Sequence, residues 1–164
     1  KFGNNNSYCQ DNEISWIDWS LLKKNKELFE FFKFMIAYRK KHPVIRKKLD
    51  NAVCGMEGMH AHDVNADRME VSQNAKTLAV SFAGYDRKKC KDDLVYVAVN
   101  AYWEEVRITL PNLANHGAWY LSVDTYGDEN GKYCYEEGEE IRLDHEYVMK
   151  PRSIVVFTGR QVLR

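Results

Sequence analysis

Apolar and polar positions change their period once along this chain. Between Ser20 and Pro43 the apolar residues recur as on a helix, and from about Val53 onward they alternate as on strands. Ser20 is placed to cap a helix beginning at Leu21. Pro43 stops that helix, because a proline has no N–H to continue the ladder. Leu28, Phe29, Phe31, Phe32, Phe34, Met35, Ile36 and Tyr38 fall on one arc. At 3.6 residues per turn the arc covers roughly 220°, against about 100° for an ordinary amphipathic stripe. Such a helix has two neighbours to bury against. With only one present, an apolar flank is left over, and self-association through the helix is the expected outcome.

The second half reads as strands. Leu78, Val80 and Phe82 alternate with Ala79 and Ser81, and Val106, Ile108 and Leu110 alternate with Glu105, Arg107 and Thr109, as in half-exposed strands. Residues 94–99 and 154–157 are nearly continuous apolar runs, which predicts central strands covered on both faces. Turn sequences at 128–131 and 136–139 separate short strands near Tyr133–Tyr135 and Glu140–Leu143. Seven or eight short strands without intervening helices predict an antiparallel β-sandwich.

Composition narrows the function classes. Lys+Arg and Asp+Glu both number 24, so the formal net charge is zero and neither a nucleic acid nor an anionic membrane is an expected partner. No apolar run approaches the roughly 20 residues of a membrane span. The 164 residues begin Lys-Phe-Gly rather than with Met, which reads as a piece of something longer. Cys9, Cys54, Cys90 and Cys134 are spread evenly with no close-spaced pair, so free thiols in a reducing compartment, the cytoplasm, are expected and no zinc.

Three constellations could carry chemistry. Residues 3–13 are dense in Asn, with Gln10, Asp11, Tyr8 and, further on, Trp16, Asp18 and Trp19. Amides match the hydroxyl pairs of a sugar and flat rings match its C–H face. The plain alternative is an irregular loop in which Asn tolerates left-handed backbone. His60-x-His62-Asp63, with Asp67 nearby, places two histidines on one strand face but offers no third ligand at a recognisable spacing, so no metal or other cofactor is expected. The acidic pairs 92–93, 104–105, 136–137 and 139–140 point to opposite faces of a strand, unlike the facing carboxyls of a glycosidase. They read as solubilising edge and turn charges.

The segment from Gly3 to Trp19 closely resembles glycogen-debranching enzymes, isoamylases and pullulanases of the alpha-amylase superfamily, in which it follows the eighth barrel strand. The resemblance continues through Ala37–Arg46, similar to the last barrel helix and the start of the C-terminal domain, and through Val97–Glu104, Trp119–Thr125 and Arg152–Phe157, similar to strands of its β-sandwich. It implies residues 1–46 as the last loop and helix of a catalytic (β/α)-barrel and residues 47–164 as a C-terminal β-sandwich. It also implies a parent glycoside hydrolase acting on α-1,6 branch points of glycogen or a related branched α-glucan. The catalytic carboxylates of that family lie on earlier barrel strands, so no catalytic residue carries over and the chain alone is expected to be inactive without the missing N-terminal barrel. Asn4, Asn5, Asn6, Tyr8 and Asp11 are the residues that the resemblance places against the glucan. The competing readings are a stand-alone carbohydrate-binding module using Tyr96, Tyr102, Trp103, Trp119 and Tyr120, and a small metal enzyme around His60 and His62.

Overall fold

The computed structural model describes residues 8–66, 68, 75–114 and 117–161. The chain divides into two compact units, Lys1–Ile36 and Ala37–Arg164.

In the first unit, residues 8–20 form a chain of turns leading into helix α1 (Leu21–Lys24). Asn25 leaves helical geometry at φ −108° and ψ 32°, and helix α2 (Lys26–Lys41) follows and runs on into the second unit. The single long helix is therefore two. Ser20 does not cap it: Ser20 is itself helical and makes no side-chain cap, while Asp18 Oδ1 accepts hydrogen bonds from the Ser20 N–H at 3.0 Å and the Ser20 hydroxyl at 2.6 Å. Of the α2 residues only Tyr38 is buried; Phe31, Phe34 and Met35 are partly buried, and Leu28, Phe29, Phe32 and Ile36 are exposed. Pro43 ends the helix as expected and opens a 3₁₀ turn, Pro43–Ile45.

The second unit is an antiparallel β-sandwich. Strands β1 (Met59–His62), β2 (Thr77–Asp86), β3 (Lys91–Asn100), β5 (Ala118–Asp124), β6 (Ile141–Leu143) and β8 (Ser153–Arg160) form one sheet in the order β1-β2-β3-β8-β5-β6. Strands β4 (Val106–Thr109) and β7 (Glu146–Met149) form a second, smaller sheet. The two apolar runs occupy the centre as predicted, β3 between β2 and β8, and β8 between β3 and β5. Residues 133–135 contribute an isolated bridge, Val123 to Cys134, in place of a strand.

Register explains the core. Ser81 faces Tyr96, Tyr96 faces Phe157 and Phe157 faces Leu121, giving one inward row across four strands. Tyr96, Trp119 and Phe157 are almost completely buried and join Ile108 of β4 and Met149 of β7 in a single cluster. Such wide rings leave room only for small neighbours at native packing density. The inward face of β2 is accordingly Ala79, Ser81 and Ala83, whereas Leu78 points outward and is 51 % exposed. Gly159 meets the same constraint, since a Cβ there would lie 2.8 Å from Leu94 Cβ and 3.0 Å from the Trp119 ring.

The last turns of α2 and the segment after it are tied to the sheet by buried polar bonds. Tyr38 Oη and Thr158 Oγ1 are 2.8 Å apart, and burial pushes the Tyr38 phenol far above its ordinary pKa. His42 Nδ1 lies 2.6 Å from Asp93 Oδ1, and Asp93 Oδ2 accepts the Val44 N–H at 3.0 Å. Asp92, on the other face of β3, accepts the Val53 and Cys54 N–H groups, both at 2.8 Å. This acidic pair is therefore a double anchor and not a solubilising charge. Of the others, Glu105, Glu137 and Glu139 are exposed and pair with Lys150, Lys41 and Lys132, whereas the Glu140 side chain is buried against Arg160 and so is not a solubilising charge either.

Candidate functional site

The described part of the Asn-rich segment is held by short-range bonds from its own side chains. Asn12 Oδ1 accepts the Ile14 N–H at 3.0 Å, and the Asn12 carbonyl accepts the N–H groups of Ser15 and Trp16, each at 3.0 Å. The Ser15 hydroxyl closes the loop on the Gln10 carbonyl at 2.5 Å. Cys9 adopts a positive φ of 55°, an uncommon angle for a residue with a side chain. With the backbone so engaged, the large side chains are turned outward: Tyr8 is 80 % exposed, and Trp16, Ile17 and Trp19 are all exposed. Flat rings in water on a braced loop are what a sugar face requires.

Of the residues expected against a glucan, Tyr8 and Asp11 fall within this loop, while Asn4, Asn5 and Asn6 lie outside the described residues. Asp11 has a specific task. Its Oδ1 accepts the indole N–H of Trp16 at 2.8 Å, so it fixes the ring and keeps only part of its capacity for a ligand. Asn12 works as a turn former and not as a ligand group. The Asp11–Trp16 bond could be suspected from the five-residue spacing only once a turn between them was known.

The aromatic row imagined on the sandwich does not form. Tyr96 and Trp119 are core residues, and the Trp119 indole donates to the Pro111 carbonyl at 2.7 Å. Tyr102 and Trp103 remain together, with ring centroids 4.3 Å apart, and Trp103 is exposed, but Lys76 Nζ sits 3.6 Å from the Tyr102 ring. Tyr120 has the Arg160 guanidinium over it at 4.7 Å.

The histidine pair does share a face, with ring centroids 4.8 Å apart. His62 is buried and its Nε2 is 2.9 Å from Ser81 Oγ, while His60 pairs with Glu57 at 3.1 Å. Asp63 Oδ1 accepts the Asn65 N–H at 2.7 Å, and Asp67 lies outside the described residues. No group of three or more His, Cys, Asp or Glu side chains among the described residues could hold a metal ion.

A cavity of about 450 Å³ in the second unit brings His42, Asp93, Thr158 and Arg160 to one wall. Its buried acid and base are already bonded to each other, and Asp93 spends its other oxygen on Val44. That arrangement fixes backbone; it presents no carboxyl pair to a glycosidic oxygen. The four cysteines are free, and burial raises the pKa of Cys54 and, together with Glu136, pushes that of Cys134 up to about 11.

The second unit is thus defined by its fold, a six-stranded antiparallel sheet that shares one core with a two-stranded sheet. Residues 47–158 match the family described as isoamylase, C-terminal, and the chain belongs to that family. It is 50 % identical over 48 residues to the glycogen operon protein GlgX homolog of Mycobacterium tuberculosis, covering 29 % of this chain and 7 % of that protein. It is 26 % identical over 122 residues to the isoamylase of Pseudomonas amyloderamosa, covering 74 % of this chain and 16 % of that protein. To isoamylase 3, chloroplastic, of Oryza sativa subsp. japonica it is 28 % identical over 126 residues, covering 76 % and 15 %. The chain thus spans less than one fifth of the length of these relatives.

Proposed function

We propose that this chain is the C-terminal part of a glycoside hydrolase acting on α-1,6 branch points of glycogen or a related branched α-glucan. The observation that carries the reading is the isoamylase C-terminal match over residues 47–158. In this reading residues 1–46 are the last loop and helix of a catalytic barrel, and residues 47–164 are the sandwich that follows it. The catalytic nucleophile and acid belong to that barrel, and the loop around Tyr8, Asp11 and Trp16 borders its substrate cleft. The alternative of a stand-alone carbohydrate-binding module is weakened by the burial of Tyr96 and Trp119. Cytoplasmic placement belongs to the same reading, since four free thiols suit a reducing compartment. No helix among the described residues is long and apolar enough to cross a membrane.

Two measurements on the chain test this proposal. Incubation with branched dextrin should release no reducing ends above a buffer blank, because the two carboxyl groups that protonate and displace the glycosidic oxygen are not supplied. Electrophoresis through a glycogen-containing gel should show retardation that depends on the loop and not on Trp103. Turnover in the first assay, or retardation abolished by Trp103→Ala alone, overturns the assignment.

A further inference from the structure

The charge of this chain is balanced overall but not locally. A cavity of about 730 Å³ lies between the turn after α2 and the β2–β3 hairpin. Into it come Lys40, the run 46–48 (Arg-Lys-Lys) and the hairpin run 87–89 (Arg-Lys-Lys). Seven basic residues therefore meet only two carboxylates, Asp50 and Asp86. Both acids are already committed: Asp50 pairs with Arg87, and Asp86 lies 3.9 Å from Lys89 and accepts the Lys88 N–H at 3.0 Å. Lys40, Arg46, Lys47, Lys48 and Lys88 have no ion pair among the described residues.

A helix C-terminus accounts for part of this. The carbonyl end of α2 attracts Arg39, Lys40 and Lys41, its basic last turn. That attraction fades within a turn, so it does not explain the runs 46–48 and 87–89. Those two runs are 41 positions apart in sequence and are brought to one concavity by the Asp50–Tyr85 bridge, in which the Tyr85 N–H donates to the Asp50 carbonyl at 2.9 Å. Holding like charges together costs stability through repulsion, and a bound polyanion removes that cost.

We propose that this cavity binds a small ligand carrying at least two phosphate groups. Several features favour this chemistry. The volume is in the range of a small-molecule site, whereas a polymer would be met by an extended groove. Lysine ammoniums are strong point-charge partners for phosphate, and Arg46, which has no ion pair among the described residues, adds the planar fork that engages two oxygens at once. One phosphate group would leave most of the excess charge uncompensated, and two would offset the larger part of it. The half-buried Tyr85 lines the same cavity and offers a ring face to the organic part of such a ligand. The site stands independently of the glucan reading, since none of its residues is placed against the glucan there.

Isothermal titration calorimetry of the chain with inorganic pyrophosphate, and with sulfate at matched ionic strength, tests the proposal. Pyrophosphate should bind at least tenfold more tightly than sulfate, and its affinity should fall steeply with added salt. The double variant Lys47→Ala/Lys48→Ala, and separately Lys88→Ala, should each lose tenfold or more while keeping the circular dichroism of the parent, because these side chains are exposed. Arg142→Ala, on β6 at the other end of the six-stranded sheet, should leave binding unchanged. Equal affinity for sulfate, or pyrophosphate affinity retained in both lysine variants, overturns the proposal. So does an absence of pyrophosphate heat alongside binding of poly-glutamate, which would make the cavity a dock for an acidic protein surface.

Discussion

His42 and Asp93 meet at 2.6 Å, both nearly inaccessible to water, and join the end of α2 to the face of β3 opposite the Tyr96 row. The second oxygen of Asp93 holds the Val44 N–H, so one carboxylate positions both the ring and the backbone of the turn. Removing it leaves two buried donors without a partner. Asp93→Ala should cost about 2–4 kcal/mol of stability, since breaking buried charge-assisted bonds strands the groups left behind. Urea denaturation followed by tryptophan fluorescence would measure this. A midpoint unchanged from the parent would show that the turn is held by packing alone.

Thiol reactivity should divide the cysteines. Cys9 and Cys90 are exposed, while the partly buried Cys134 has its pKa raised from 9.0 to about 11, first by desolvation and then by Glu136. Only the thiolate attacks an alkylating reagent, so at pH 8 Cys134 carries about a thousandth of its sites in reactive form. Iodoacetamide at pH 8 should label Cys9 and Cys90 within minutes and Cys134 far more slowly, as read by peptide mass spectrometry. The raised value also sets a stability window. The folded state holds the Cys134 proton more tightly than the unfolded state, so this stabilising contribution is complete below pH 9 and is lost as pH rises towards 11. Cys134→Ser should flatten that alkaline decline.

The sandwich was legible where sequence pattern and burial coincide. Continuous apolar runs made β3 and β8 central because both of their faces are covered. Alternation in β2 revealed two faces but not which one is inside: size complementarity with Tyr96, Trp119 and Phe157 selects Ala79, Ser81 and Ala83, and those rings lie on other strands. The task of Asp93 was hidden for a similar reason, as its partner His42 is 51 positions away. The break at Asn25 was concealed by good helix formers on either side of it. In the candidate loop, exposed aromatics were expected from composition, but the Asp11–Trp16 bond depends on turn geometry that Asn12 and Ser15 create.

That bond predicts how the loop variants differ. Asp11→Ala frees the Trp16 ring without removing it, whereas Tyr8→Ala removes a contact surface outright. Both should reduce glycogen retardation of the chain, by about tenfold in apparent affinity for a lost hydrogen bond or ring contact of this kind. Trp16→Phe should imitate Asp11→Ala, because it keeps an aromatic face but has no N–H to be held. Asn5→Ala tests the Asn-rich part of the same loop. Retardation equal to the parent in Tyr8→Ala, Asp11→Ala and Asn5→Ala together would return the loop to a purely structural role.

Self-association through α2 is the remaining expectation, and the structure changes which residues test it. Phe31 and Phe34 are partly buried, while Leu28, Phe29, Phe32 and Ile36 are exposed to between 48 and 59 %. Positions 28, 32 and 36 are four apart and 29 lies beside them, so they form one stripe along the helix. Covering an apolar side chain of this size is favourable by about 1.5–3 kcal/mol, which gives a stripe of four a strong tendency to find a partner. A second copy can supply the same stripe in a two-fold arrangement, where each helix covers the other. Sedimentation velocity across a range of concentrations should show a monomer–dimer equilibrium for the parent. Phe29→Ser and Phe32→Ser should shift it towards monomer, while Phe82→Ser on the sheet should not. A parent that stays monomeric at every concentration would rule out α2 as a contact between copies.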